Sequence, residues 1–324
     1  MMVAGGIRWQ FFLALGLCWL LWPVAPLSAD TASSFNRSEG MVESRGERIA
    51  FTSSTGGSWQ ILTVAPDGCA LQQVTRNPAE CFHPSWAPDG RRLVCADANG
   101  DLWIAALCEK TARKLPGLPL NCAHPDWSPD GKKIVFVVNT SIGRKEDSDL
   151  WVVELEGGTA WKLFEQAGLQ KYPSWSPSGT EIVYSTGYRV SDAKVVEDLW
   201  VVKADGTNPR SLLANGFSNI HPAWSPDGAG IAFASDRTGS LDIWVMDLAT
   251  GSTRQLTSDS SLEANPSWSP DGTKMCFSST RNGKMNLWIM AQNGTGLRQL
   301  TGPGHEDSEC QEPSWSPGER AQPP

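Results

Sequence analysis

The stretch that decides the fold is "HPDWSPDGKKIVF", residues 124–136. A short Pro-x-Trp segment leads into Ser-Pro-Asp-Gly, in which proline restricts φ and glycine tolerates a left-handed conformation, so a tight turn is expected. The β-branched and aromatic run after the turn is typical of a second strand. The stretch therefore predicts two short strands joined by a tight hairpin.

The same pattern returns along the chain. The further copies are "HPSWAPDGRRLVC" at 83–95, "YPSWSPSGTEIVY" at 172–184, "HPAWSPDGAGIAF" at 221–233, "NPSWSPDGTKMCF" at 265–277 and the partial "EPSWSPG" at 312–318. Their marker tryptophans are Trp86, Trp127, Trp175, Trp224, Trp268 and Trp315, spaced by 41, 48, 49, 44 and 47 residues. Because these tryptophans hold one position in every unit, we expect them to pack between neighbouring repeats.

Each unit continues with two more strands. A second signature follows the hairpin, as in "DLWVV" at 149–153 and "NLWIM" at 286–290, and a short amphipathic strand such as "LRQLT" at 297–301 ends the unit. Four strands at a period of about 45 residues favour a blade of a β-propeller over a helical solenoid.

The two ends of the repeat are incomplete in complementary ways. "RIAF" at 48–51 begins a unit without its Pro-x-Trp strand, and the C-terminal copy has only that strand. We therefore predict an all-β fold, a six-bladed propeller of four-stranded blades over residues 48–317. In it, the strand at 313–316 lies beside 48–51 and closes the ring, because an open ring would leave two unpaired strand edges.

The N-terminus indicates export. Arg8 precedes an apolar run from Phe11 to Trp22 and a small-residue exit at "LSAD", which predicts a signal peptide over residues 1–29; an uncleaved anchor is the alternative. Residues 30–47 form a short segment and 318–324 a frayed tail. We expect a periplasmic or secreted monomer with no stable membrane span after cleavage. A net charge of −8 without a Lys/Arg cluster argues against nucleic-acid binding.

One polar column precedes the marker prolines. Because the innermost strand of a blade lines the central channel, we expect its members to form a ring at one mouth, where they bind a polar ligand, or simply hydrate the channel. The three histidines are also candidates for a divalent metal site. The column, here named the channel ring, consists of His83, His124, Tyr172, His221, Asn265 and Glu312.

Three cysteines share a register with this column. Cys81, Cys122 and Cys310 each lie two positions before a ring member, so they share one rim. In an oxidising compartment a disulfide joining Cys81 to Cys310 or to Cys122 is expected, with a Cys/His metal site as the alternative. Cys69 and Cys108 are candidates for a second bridge between adjacent blades.

Two adjacent blades have long segments before the third strand, at 139–149 and 185–198. Variable loops on a rigid scaffold often carry binding residues. Arg144, Lys145, Tyr188 and Arg189 are therefore candidate contacts, and a solvated loop without a partner is the alternative.

The P-x-W-S-P-D-G turn and the D-[IL]-[YW]-[VI] strand resemble the repeats of the TolB-like β-propeller family. Residues 30–47 are too few for the α/β domain that precedes the TolB propeller, so we expect the propeller without it. Similar propellers precede hydrolase domains, but no G-x-S-x-G occurs here. The resemblance implies a non-enzymatic scaffold, without a cofactor, for a protein or peptide partner.

A second function follows from other proteins with similar repeats. Some propeller-shaped lyases that act on pectate fragments hold a catalytic metal with channel histidines. The resemblance to them implies, as the alternative, a metal-dependent lyase or hydrolase that uses His83, His124 and His221.

Overall fold

The computed structural model describes residues 46–318 apart from 77–78, 108–111, 143–144, 192–193 and 303–307. The predicted leader and the final residues 319–324 lie outside the described residues, as does most of the segment at 30–47. Apart from one 3₁₀ turn, Thr55–Gly57, the regular structure of the described residues consists of β-strands. No helix among them has the length and apolar character needed to cross a bilayer.

Four of the sheets have four strands each. The first contains β24 (Cys310–Trp315), β1 (Ile49–Ser53), β2 (Gln60–Val64) and β3 (Gln72–Gln73) in that order. The second contains β4 (Cys81–Trp86), β5 (Arg92–Asp97), β6 (Leu102–Ala106) and β7 (Ala112–Lys114). The fourth contains β16 (Asn219–Trp224), β17 (Gly230–Ser235), β18 (Asp242–Asp247) and β19 (Thr253–Gln255). The fifth contains β20 (Glu263–Trp268), β21 (Lys274–Ser279), β22 (Asn286–Ala291) and β23 (Arg298–Gln299).

The third sheet has eight strands and combines two repeats. Its first half is β8 (Cys122–Trp127), β9 (Lys133–Ile142), β10 (Lys145–Glu154) and β11 (Ala160–Lys162). Its second half is β12 (Leu169–Trp175), β13 (Glu181–Ser191), β14 (Lys194–Lys203) and β15 (Arg210–Leu213). A single parallel pair, Ser148 with Leu169, joins the halves.

The Ser-Pro-Asp-Gly turns form as the sequence predicts. The turn glycines have positive φ, for example +75° at Gly131 and +73° at Gly228, which glycine adopts without steric penalty. The turn aspartates accept backbone N–H groups two residues ahead, at 3.0 Å from Lys132 to Asp130 and from Ala229 to Asp227. Local chemistry thus reverses the chain between the first and second strand of each repeat.

The two ends of the repeat pair as expected. β24 runs antiparallel to β1, with Trp315 opposite Ile49 and Cys310 opposite Ser53. Outside the ladder, the N–H of Ser316 donates to the carbonyl of Arg48 at 2.7 Å. Strands more than 250 residues apart therefore share the first sheet.

Most marker tryptophans occupy the apolar cores between repeats. Trp127 packs with Ala87 and Val94 of the preceding sheet, and Trp315 packs with Leu287 of the fifth sheet. Four of the six are at most 7% exposed, namely Trp86, Trp127, Trp175 and Trp315. Trp268 also packs against the core between the fourth and fifth sheets, although both it and Trp224 remain partly exposed.

Candidate functional site

The six members of the channel ring line one cavity of about 200 Å³ together with the prolines that follow them. Each sits at a register shift of the innermost strand, where proline cannot donate to the ladder. All six have positive φ, from +47° at His124 to +58° at Glu312. Non-glycine residues rarely adopt this conformation, and such strain is often found at functional sites. The sequence did not reveal it, since no glycine marks these positions.

Glu312 ties the last strand to the first two sheets. Its Oε1 lies 3.0 Å from His83 Nε2, and its Oε2 accepts the hydroxyl of Thr52 and the backbone N–H of His83, both at 2.8 Å. Burial by itself raises the pKa of Glu312, but the attraction of His83 and these hydrogen bonds outweigh it and lower the pKa below its ordinary value. The carboxylate is therefore ionised at neutral pH.

Four ring side chains contact one another in series, with neighbouring ring planes at 56–68° to each other. The ring centroids of His83 and His124 are 3.9 Å apart, those of His124 and Tyr172 are 4.5 Å apart, and those of Tyr172 and His221 are 4.1 Å apart. Burial, together with the positive charge of neighbouring groups, lowers the pKa of His124 well below its ordinary value. Burial likewise lowers the pKa of His221, to about 3. Both imidazoles are therefore neutral at pH 7.

The ring histidines do not fit a shared metal ion. Tyr172 stands between His124 and His221, so the three imidazoles lie against neighbouring rings instead of converging on one point. Within the described ranges, no group of three or more His, Cys, Asp and Glu side chains is placed to hold a metal.

Asp126 belongs to a second polar column, which the repeat motif alone did not reveal. It follows Pro125, where the other repeats have Ser85, Ser174, Ser267, Ser314 and Ala223. Its Oδ2 accepts the N–H of Trp175 in the next repeat at 2.8 Å, and Ser267 Oγ accepts that of Trp315 at 2.9 Å. The column thus links neighbouring repeats. In the sequence, this position could have been recognised because one repeat has a carboxylate where the others have serine or alanine.

Replacing Asp126 with serine is expected to change the free energy of unfolding differently at the two ends of the pH range. Relative to the original protein, the variant should be more stable at pH 8 than at pH 4. Burial raises the pKa of Asp126 to about 6, so its contribution to stability is present below the ordinary value of 3.8 and is lost as the pH rises through 6. The raised pKa corresponds to a loss of about 2–3 kcal/mol in the free energy of unfolding once Asp126 is ionised. Urea denaturation of Asp126→Ser at both pH values measures this difference.

Ser267→Ala is the matched control for that substitution. It removes the acceptor of the Trp315 N–H without changing a titratable group, so its destabilisation is expected to be the same at both pH values. An equal effect of Asp126→Ser at pH 4 and pH 8 would contradict the assigned role of the buried carboxylate.

The two long segments form extended hairpins in the structure instead of loops. β13 and β14 pair as far as Ser191 opposite Lys194, because valines continue the β pattern. Tyr188 lies on this hairpin and is 43% exposed, and Arg189 is exposed beside it. Of the other predicted contacts, Arg144 lies outside the described residues. Lys145 begins β10, and its side chain is not described.

The second hairpin rises beside the channel ring. Lys171, the neighbour of Tyr172, places its Nζ 3.2 Å from Glu197 Oε1 on β14. The side chain of Asn219, at the start of β16, donates to the carbonyl of Glu197 at 3.3 Å. The innermost strands begin on this side, here named the mouth face. The opposite side, with the Ser-Pro-Asp-Gly turns, is the turn face.

Among the described residues, the three rim cysteines are not joined by a disulfide. Cys81, Cys122 and Cys310 are buried in three different apolar clusters, because each side chain points into the core between its own sheet and a neighbouring one. A hydrogen bond with Cys81, and then burial, raise the pKa of Cys95, so these two thiols lie together in the second sheet. Cys69 is exposed and free. Cys108 lies outside the described residues.

Comparison with known proteins confirms the resemblance of the repeats to TolB propellers. Residues 198–321 match the family described as the TolB beta propeller domain. A search of curated proteins finds no match to this chain.

Solved structures with the same fold include TolB from Acinetobacter baumannii, with a TM-score of 0.71 and 22% identity over 83% of this chain and 66% of that one. A structure assigned as TolB from Agrobacterium tumefaciens gives a TM-score of 0.65 and 23% identity over 79% and 89% of the two chains. An oligogalacturonate lyase in complex with manganese gives a TM-score of 0.54 and 18% identity over 78% of this chain and 73% of that one. The chain spans about two thirds of the Acinetobacter protein. At these identities the likeness shows a common fold and nothing more.

Proposed function

We propose that this protein is an exported, non-enzymatic scaffold whose TolB-like propeller binds a protein or peptide at the mouth face. The proposal includes a cleaved leader over residues 1–29, a periplasmic or secreted location, and a monomer. It rests on one observation. Of the six exposed large hydrophobic side chains among the described residues, four lie in segments on the mouth face, namely Leu120, Tyr188, Val190 and Phe217.

The proposal also includes six blades in a closed ring. The two halves of the third sheet each repeat the four-strand pattern and share a single residue pair, which supports counting them as two blades. Pairing of β24 with β1, and the bonds of Glu312 to His83, carry contacts from the last repeat into the first and second. A closed ring would hold the mouth face rigid, which lowers the entropy cost of binding.

The dimensions of the site favour a macromolecular partner. A cavity of about 200 Å³ is smaller than the ~300–1,000 Å³ typical of pockets for small organic ligands. It can accept one inserted side chain, while exposed Tyr188 and Phe217 offer the aromatic contacts that often dominate the binding energy of protein interfaces.

A pull-down from the native cell envelope, followed by mass spectrometry, tests the proposal. We expect Tyr188→Ala and Phe217→Ala to reduce recovery of a specific partner about tenfold, since each removes an aromatic anchor. Leu297→Ala is the matched control, because Leu297 is 39% exposed on the turn face. Equal recovery by all variants would contradict binding at the mouth face.

The alternative predicted from the sequence, a metal-dependent lyase or hydrolase, is not favoured by the arrangement of the ring histidines, each of which lies against a neighbouring aromatic ring. Metal analysis of the purified protein separates the two functions. A stoichiometric ion that is lost in His124→Ala would support the alternative and count against a non-enzymatic scaffold.

A further inference from the structure

A large cleft opens on the turn face between the fourth and fifth sheets. Its volume is about 810 Å³, roughly four times that of the ring cavity. One wall is the Ser225–Gly230 turn segment, and the other carries the indole of Trp268, whose Nε1 donates to the carbonyl of Ala223 at 3.3 Å. The marker tryptophan of the fifth sheet is thus held in place with part of its surface exposed.

The corresponding interface between the second and third sheets contains an arginine. The guanidinium carbon of Arg92 lies 5.1 Å from the ring centroid of Trp127. Its Nε also lies 2.7 Å from Asp89 Oδ2. The chain therefore already binds one guanidinium group between a turn aspartate and the marker tryptophan of the next repeat, a cation–π contact combined with an ion pair.

Aligned repeats show which residues of the cleft correspond to this arrangement. In "SPDGAGIAF" and "APDGRRLVC", Asp227 takes the place of Asp89 and Gly230 takes the place of Arg92. Trp268 likewise takes the place of Trp127. With glycine at 230, none of the cation–π contacts of the described residues involves Trp268, and this residue stays partly exposed, whereas Trp127 is 4% exposed.

From this correspondence we propose that the cleft binds an organic cation of the guanidinium class, stacked on Trp268 and paired with Asp227. The cation takes the place that Arg92 occupies in the second sheet. This site is independent of the proposed partner site, because it lies on the opposite face.

The charge of the cleft suits a cation. Three aspartates line it, Asp227, Asp247 and Asp271, against one arginine. The hydroxyl of Ser225 and the N–H of Ala229 lower the pKa of Asp227, and hydrogen bonds likewise lower those of the other two, so all three are ionised at pH 7. The arginine, Arg254, already donates to the carbonyl of Gln292 at 3.2 Å.

Chemical-shift titration of the Trp268 indole N–H in the purified protein tests the site; Trp268→Phe identifies the resonance. We expect N-acetyl-arginine methylamide to bind saturably at one site in the millimolar range. The uncharged citrulline analogue should bind at least tenfold more weakly. Agmatine distinguishes a free small cation from an arginine side chain in a peptide: the tighter of the two probes identifies the source.

Substitutions at equivalent positions provide internal controls. Asp227→Asn is expected to weaken binding about fivefold, and Asp89→Asn to leave it unchanged. Gly230→Arg should abolish binding by supplying the guanidinium from the chain itself. Arg92→Gly should raise the stoichiometry from one to two by uncovering Trp127.

A Cβ at position 230 would lie 3.0 Å from the carbonyl oxygen of Met246, so Gly230→Arg can fail to fold for steric reasons. Asp227→Asn and Arg92→Gly then decide the result. Absence of arginine-specific saturation, or saturation that Asp227→Asn does not weaken, would overturn the site.

Discussion

Removal of β24 by deleting residues 310–324 is expected to lower the melting temperature by tens of degrees or to prevent folding. Trp315 is 6% exposed and packs with Ile49 and Phe51 of the first sheet, and truncation of a buried tryptophan alone costs about 3–5 kcal/mol. The deletion would also leave β1 with an unpaired edge. These losses are comparable with the 5–15 kcal/mol that stabilises a typical domain.

Thermal unfolding followed by circular dichroism measures the effect. Deletion of residues 319–324, which leaves β24 intact, is the matched control and should shift the melting temperature by no more than a degree or two. A synthetic peptide covering residues 308–318 should restore part of the stability of the shorter chain. A melting temperature unchanged by loss of β24 would show that the proposed ring does not depend on this strand.

Acidification from pH 7 to pH 5 is expected to destabilise the protein. His124 and His221 have folded pKa values far below the ordinary value of 6.5, so the stability they contribute is present above pH 6.5 and is lost as the pH falls towards the folded values. With a folded pKa of about 3, His221 loses about 2 kcal/mol of its contribution by pH 5. Protonation of Asp126 over the same range restores about 1 kcal/mol, since its folded pKa is raised to about 6.

Urea denaturation at pH 7 and pH 5 checks this prediction. His221→Asn is the informative variant, because Asn265 already occupies an equivalent ring position with the same φ of +53°. The variant should lose about 2 kcal/mol less than the original protein over this pH range. An identical pH dependence in both proteins would exclude His221 as a source of the acid sensitivity.

Much of the candidate site could be predicted from one column of residues. The residue before each marker proline was expected at the channel mouth, and all six line one cavity. The interactions among them could not be predicted, because His83 and Glu312 are 229 residues apart and meet only when β24 joins the first sheet. Cysteine register was misleading for a related reason: equal sequence offsets gave equal positions on the strands, but the side chains face separate cores.

The sequence by itself determined the strands, the turns and the complementary ends of the repeat, because proline, glycine and alternating apolar residues act on their own backbone. Tertiary structure decided which groups meet across repeats. The ring contacts of the imidazoles, the contact of Glu312 with His83 and the partly exposed face of Trp268 depend on side chains brought together from distant strands. Gly230 illustrates the difference. The absence of a side chain there leaves Trp268 partly exposed only because the fold brings the two residues, 38 positions apart in the chain, to the same cleft.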